Sequence, residues 1–343
     1  MTRGALVTTV TLVLLMGSSA ADLRVSLLST AAAYLKDIAS IAPVAGRETT
    51  FDYYERLRDD EQTLDDPQIP TGYTSDQWSQ TVSNFAALDL SLATQLIAKR
   101  YVPMASIRGL GEALVRSSTD GTMQPVAVYV PRSYELGKPA PLVVFLHGRP
   151  QPESQLLAPP YVAQLAEATG SITVAPWGRG YYDFRQSAED VYDAARAARD
   201  AFTIDQRKEF LAGYSMGGFA VYEVGALHPD EWSAVMSIAG ALLGSDSQRI
   251  VAEMSRTPFY VLTGTHDDSI PTQYPMATAG FLRSAGMQVS FYSLPGATHR
   301  LITLLPILTQ AWNDMVHGVV RAPPESFGFM KLPGEIPTMT LRP

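Results

Sequence analysis

The run Gly213-Tyr214-Ser215-Met216-Gly217-Gly218 limits what this chain can fold into more than any other stretch. It has the form G-x-S-x-G, in which a serine sits on a tight turn between a strand and a helix. The glycines answer a steric need. The turn holds the serine in strained backbone angles, and a Cβ two residues before or after it would run into the neighbouring strand or helix. Such a pattern also arises by chance in long sequences, so its flanks decide its meaning. Before it, Glu209-Phe210-Leu211-Ala212 is a short, mostly apolar run suited to a strand buried on both faces. After it, residues 219–227 carry apolar side chains at helical spacing and stop at His228-Pro229, where proline forbids continuation. Strand, turn and helix follow in the order the motif requires. The plainer alternative is that Ser215 is an ordinary turn serine between buried elements.

Composition sets the frame for that motif. The chain has 343 residues, no cysteine, 46% hydrophobic residues and a formal charge of -8. That length allows one large domain with an appendage and a substantial core. Without a basic surplus to neutralise phosphates, nucleic acid is not an expected partner. Residues 1–21 read as a secretory signal, with Arg3, an apolar stretch over residues 5–16 and the small residues Gly17-Ser18-Ser19-Ala20-Ala21. The apolar stretch is shorter than the ~20 residues that span a bilayer. Export to the periplasm or the exterior, with no stable membrane insertion after processing, is therefore the expectation; an uncleaved anchor is the alternative.

Residues 22–105 read as an N-terminal helical segment. Leu23, Val25, Leu27, Leu28, Ala31, Leu35 and Ile38 are spaced for one apolar helix face, and Trp78, Val82, Phe85, Leu88, Leu92 and Leu96 for another. Two helices are expected, joined by an acidic loop over residues 59–67. The calcium-loop spacing D-x-[DN]-x-[DN]-G is absent there, so a solvated loop is the reading. Residues 107–116 and 124–130 flank Ser117-Ser118-Thr119-Asp120-Gly121-Thr122, which predicts an antiparallel hairpin. From Pro141 onward strands and helices alternate. Residues 141–148 form an apolar run ending in His147-Gly148, strands are expected at 172–176, 209–214, 234–238, 259–263 and 289–294, and helices at 188–201, 219–227 and 301–316. This order predicts an α/β architecture: a mainly parallel sheet with an antiparallel leading edge and helices on both faces. The catalytic domain would span residues 106–320, and residues 321–343 form a tail rich in proline and glycine.

A serine hydroxyl needs a base within hydrogen-bond reach and a carboxylate that fixes the base's tautomer. Each should stand on a loop leaving the C-terminal edge of a strand, in the order serine, acid, histidine. Among the five histidines, His147, His228, His266 and His317 fit other places in the pattern, and His299 stands just past the last strand. Asp267 keeps a G-x-x-D-x-x-x-P spacing from Gly264 to Pro271 and is the acid chosen, leaving Asp268 as a solvent or capping group. Negative charge on the tetrahedral intermediate needs fixed N–H donors. The backbone N–H groups of Met216 and Arg149 are the candidates for this oxyanion hole. The Arg149 side chain suits either an acidic substrate group or a surface salt bridge. Trp177, Tyr181 and Tyr214 are the candidate substrate contacts, since aromatics after the strand at 172–176 can stack on a sugar or phenolic ring.

Leu146-His147-Gly148, Ile204-Asp205, Leu211-Ala212-Gly213-Tyr214-Ser215-Met216-Gly217-Gly218 and His228-Pro229-Asp230 together resemble the α/β-hydrolase superfamily. The similar branch holds feruloyl and acetylxylan esterases, poly(3-hydroxybutyrate) depolymerases and prolyl oligopeptidase-like peptidases. The resemblance covers roughly residues 107–320. It implies the α/β-hydrolase fold, a Ser215–Asp267–His299 triad, acyl-enzyme chemistry and no cofactor or metal. A carboxylic ester hydrolase acting on a small-molecule or polymer ester is the expected activity. A serine peptidase is the alternative enzyme, although the residues ahead of the hydrolase region are too few for a propeller. A lipase lidded by an early helix and a non-catalytic interaction protein on the same scaffold are the further readings.

Overall fold

The structure is a computed structural model, and it describes residues 19–180, 184–242 and 247–321. Most of the expected leader and of the tail, together with Tyr181, lie outside the described residues. In chain order the strands are β1 (Gly109–Arg116), β2 (Met123–Val130), β3 (Ala140–Leu146), β4 (Ile172–Pro176), β5 (Ile204–Tyr214), β6 (Ala234–Ile238), β7 (Phe259–Gly264) and β8 (Val289–Leu294). The helices are α1 (Ala20–Ala45), α2 (Arg47–Asp65), α3 (Ser75–Ala98), α4 (Glu153–Leu157), α5 (Pro160–Thr169), α6 (Ala188–Ala201), α7 (Met216–Leu227), α8 (Ser247–Glu253), α9 (Gln273–Ser284) and α10 (Leu305–His317). The chain divides into two compact units: Met1–Lys138, Gln151–Tyr181 and Ser187–Thr203 form the first, and Pro139–Pro150, Tyr182–Gln186 and Ile204–Pro343 the second.

Among the described residues of the first unit, three α-helices precede the hairpin where two were expected. Ser19 caps α1 by accepting from the Asp22 N–H at 3.2 Å. Thr74 and Gln77 form a reciprocal capping box at the start of α3. Leu23, Leu27, Ala31 and Tyr34 of α1 pack with Val82, Phe85, Leu90 and Leu96 of α3 in a cluster that also takes in Leu114 of β1 and Met123 of β2. The element that apolar spacing missed is α2. Its buried side carries Thr49, Thr50, Arg56, Asp60 and Glu61 beside Tyr53 and Leu57, so burial there is largely polar and leaves no hydrophobic stripe. The acidic residues expected in a loop are therefore the last turns of a helix that ends at Asp65.

That polar burial centres on Arg56. Its Nη1 and Nη2 donate to the two carboxylate oxygens of Glu153 at 2.9 and 3.0 Å, a bidentate pairing. Its Nε lies 2.6 Å from Asp52 Oδ2, and Nη1 is 3.5 Å from Asp89 Oδ1. The guanidinium lies 4.4 Å from the centre of the Tyr53 ring and 4.1 Å from that of Trp177. The Tyr53 hydroxyl is 2.9 Å from both Glu112 and Glu153. α2, α3, β1 and α4 thus meet through charge as well as through apolar contact. Carboxylates outnumber the cation, and burial answers by favouring their neutral forms. Desolvation, reinforced by Asp89, holds Asp60 well above the usual carboxylate range, and desolvation with Glu153 does the same for Glu112. Desolvation raises Asp52 and Asp89 from 3.8 to about 6, with Arg56 opposing.

The same unit holds the antiparallel strands. β1 pairs with β2 from Gly109 opposite Val130 to Arg116 opposite Met123, and β2 pairs antiparallel with β4. The second unit holds the parallel ones, with β3, β5, β6, β7 and β8 paired in that order. Mainly parallel strands led by an antiparallel edge, behind a helical segment, agree with expectation. β5 begins at Ile204, earlier than apolar pattern suggested, because its first residues, including Asp205 and Arg207, are polar. The closing helix is split: a 3-10 turn over Leu301–Leu304 leads into α10, with Pro306 in the first turn of the α-helix. Trp312 of α10 is fully buried, its ring centre 5.7 Å from that of Phe145 on β3. Parallel pairing brings the C-terminal ends of these strands to one edge of the second unit, and the residues after β3, β5, β7 and β8 emerge there.

The raised carboxyls make a pH prediction for the first unit. A folded chain that retains protons which the unfolded chain releases gains stability in acid. For Asp52 and Asp89 this contribution is complete below 3.8 and is lost as pH rises through about 6. Thermal melts of Asp89→Asn should therefore lose less stability between about pH 4 and pH 7 than the wild type does. An equal or steeper loss in the variant would refute the account.

Candidate active site

Ser215 links β5 to α7 with φ 53° and ψ -114°, a conformation that a residue with a Cβ adopts only under local constraint. The constraint is visible on both sides. A Cβ on Gly213 would lie 2.2 Å from the Gly217 carbonyl oxygen, and one on Gly217 would lie 2.4 Å from the Leu146 carbonyl oxygen. No side chain fits either gap. The turn is also pinned by hydrogen bonds, from Ser215 N–H to the Ile238 carbonyl at 2.9 Å and from Gly217 N–H to the His147 carbonyl at 3.1 Å. Ser215 thus stands at the head of α7, where the first N–H groups of a helix have no acceptor within it.

The hydroxyl of Ser215 is 2.8 Å from His299 Nε2. On the other side of the ring, His299 Nδ1 is 2.8 Å from Asp267 Oδ2. The second oxygen of Asp267 accepts from the backbone N–H groups of Ser269 at 3.0 Å and Ile270 at 2.7 Å. The Asp267 side chain is fully buried and that of His299 is one-fifth exposed. Asp268 is exposed, as are His266 and His317, while His147 is buried with its Nδ1 3.0 Å from the Gly148 carbonyl. Hydroxyl, imidazole and carboxylate therefore form one continuous chain of hydrogen bonds, and the residues singled out in sequence are the ones brought together.

The loops bearing Asp267 and His299 are held to each other by their backbones. His266 N–H donates to the Ala297 carbonyl at 2.9 Å, Thr265 N–H to the Leu294 carbonyl at 3.0 Å, and Gly296 N–H to the Thr265 hydroxyl at 2.9 Å. A Cβ on Gly264 would lie 2.3 Å from the Ala297 carbonyl oxygen. Beside His299, the Thr303 hydroxyl accepts from Thr298 N–H at 3.1 Å and donates to the Arg300 carbonyl at 2.7 Å. Gly264 opens the G-x-x-D-x-x-x-P spacing, whereas sequence reasoning missed Thr265 and Thr303, which no local pattern marked.

Of the other expected residues, Met216 begins α7 and Arg149 is exposed, one residue past Gly148. A Cβ on Gly148 would stand 3.0 Å from the Ser215 Cβ, so this loop passes directly beside the serine. Tyr214 is 8% exposed, and its hydroxyl donates to the His299 carbonyl at 2.7 Å. Trp177 departs from expectation. It is 6% exposed, belongs to the first unit and lies under the Arg56 guanidinium, so its ring is engaged in packing and is not an open wall for substrate. Tyr181 lies outside the described residues.

Residues 182–305 match the model of the dienelactone hydrolase family. Among solved structures, a thermostable esterase is similar at 18% identity with a TM-score of 0.50, the match covering 62% of this chain and 63% of that one. The chain thus matches under two thirds of that esterase. A ferulic acid esterase from Anaeromyces mucronatus, solved in complex with ferulic acid, is similar at 19% identity and a TM-score of 0.50, covering 60% of this chain and 89% of that one. At these identities the likeness speaks for the fold. No curated protein sequence matches significantly.

The tight passage beside the serine is testable through Gly148, where a Cβ would meet the Tyr214 ring at 2.8 Å as well as the Ser215 Cβ. Gly148→Ala should lower stability by about 1–3 kcal/mol, read by denaturant unfolding, because overpacking forces its neighbours aside. A variant as stable as the wild type would show that the loop has room to move.

Proposed function

We propose that this member of the α/β-hydrolase superfamily is an exported serine esterase that hydrolyses carboxylic esters through an acyl-enzyme on Ser215. The observation that carries the proposal is the chain of two 2.8 Å contacts from Ser215 through His299 to Asp267, ending on a buried carboxylate that has backbone donors of its own. Export rests on the leader-like composition of residues 1–21 alone.

In this mechanism the Ser215 hydroxyl gives its proton to His299 Nε2 as Oγ attacks the ester carbonyl. Asp267 accepts from Nδ1–H, so Nε2 is the nitrogen left free to take the proton, and it stabilises the imidazolium that results. The negative charge on the former carbonyl oxygen is met by the N–H of Met216 at the head of α7 and by that of Arg149. When the tetrahedral intermediate collapses, the alcohol leaves with the proton from Nε2 and the acyl group stays on Ser215. Water then attacks the acyl-enzyme and delivers its proton to Nε2. The second collapse returns that proton to Oγ and frees the acid. The ferulic acid bound by the Anaeromyces mucronatus esterase supports an ester of a small carboxylic acid as the substrate class.

A fluorophosphonate probe tests the nucleophile: wild type should be labelled and Ser215→Ala should not, and an unlabelled wild type overturns the reading. Asp267→Asn should lower kcat by roughly 10³–10⁴, since an asparagine presents the wrong tautomer to the base, while Asp268→Asn stays within about twofold. Loss confined to the Asp268 variant would refute the assignment. Across p-nitrophenyl esters of increasing acyl length, kcat/KM should peak at short chains. A maximum at long chains would favour a lipase instead.

A further inference from the structure

A residue placed directly before the nucleophile is expected to meet the acyl group, yet Tyr214 spends its polar atom elsewhere. Its hydroxyl donates to the backbone carbonyl of His299 at 2.7 Å. Its ring lies 5.4 Å from the imidazole, centre to centre, with the planes tilted by 34°. The same ring would collide with any Cβ on Gly148, at 2.8 Å from Cδ1. One side chain therefore touches the residue that carries the base and the residue that precedes Arg149, while its own backbone leads into Ser215.

We infer, resting on the esterase reading above, that Tyr214 is a positioning residue that registers the base to the nucleophile. The imidazole hangs from the Cα of His299, and its two nitrogens must meet Oγ and Oδ2 at 2.8 Å on opposite sides. A shift of the Cα by a few tenths of an ångström lengthens one contact or the other. Thr303 holds the residues on either side of His299 through Thr298 and Arg300, and Tyr214 holds the His299 peptide itself. Because Tyr214 and Ser215 are consecutive, the tether refers the base to the nucleophile's own backbone. The ring can then turn as the proton is taken up and passed on while its Cα stays fixed.

Tyr214→Phe removes the tether and keeps the ring against Gly148. Using a short-chain p-nitrophenyl ester, kcat should fall about tenfold with KM within about twofold of wild type. Phosphonylation by a small alkyl fluorophosphonate should slow by the same factor, and the low-field resonance of the His299 Nδ1 proton should exchange faster with water. Turnover and labelling equal to wild type would overturn the inference. So would a raised KM with kcat and labelling unchanged, which is the mark of a substrate contact. Replacing Tyr214 by 3,5-difluorotyrosine supplies a second arm that keeps the native fold at low pH. Lowering the phenol's pKa should bring in an alkaline fall of kcat as the donor ionises, and an unchanged profile would equally overturn the proposal. If wild type neither labels nor turns over, the esterase reading fails by itself, and the Nδ1 proton still reports whether Tyr214 restrains His299.

Discussion

The second unit of this protein depends on a shortage of space. Around Ser215, backbone segments from β3, β5 and α7 come so near one another that a single added carbon would lie 2.2 to 2.4 Å from a carbonyl oxygen. That crowding holds the serine at a positive φ that it would otherwise avoid. The hydroxyl of the serine held in this way lies 2.8 Å from His299 Nε2. Parallel pairing of β5, β6, β7 and β8 then determines which loops share that edge. The hydrogen-bonded chain follows from the crowding and the pairing together.

The helical half is held by different physics. Its apolar cluster is ordinary, but Arg56 and the carboxyls about it join α2, α3, β1 and α4 in a setting from which water is largely excluded. Buried ion pairs add little net stability over well-packed apolar groups, though breaking one by removing a partner is costly. Their contribution is geometric. A bidentate guanidinium with an aromatic ring at 4.4 Å and another at 4.1 Å accepts few alternative arrangements. The unit is thereby tied to the protonation state of its buried carboxyls.

What the sequence made legible, and what it did not, divides along the same line. Strands buried on both faces announce themselves as apolar runs, so β4, β6 and β8 have the ends that pattern implied. The serine, acid and histidine were readable because each is tied to a strand end and to a fixed order. α2 was not readable, because its inward side presents Thr49, Arg56 and Asp60, which look like solvent residues until their partners, distant in sequence, are known. Trp177 misled for the related reason that an aromatic after a strand looks available, whereas its occupant, Arg56, comes from far upstream. The tie between Tyr214 and His299 is a contact with a main-chain oxygen, and no side-chain pattern records it.

The stitching of the Asp267 and His299 loops has a consequence for how such a protein can change. His266 and Ala297 bind each other through main-chain atoms, as do Thr265 and Leu294, and the Thr265 hydroxyl takes the Gly296 N–H, so the two loops behave as one cassette despite the helix and strand between them in the chain. Lengthening or transplanting either alone would tear the seam. Variation that leaves the seam whole has freer scope at the exposed residues that border it, such as Asp268 and Arg300, where a lineage could remodel the surface without loosening the two loops.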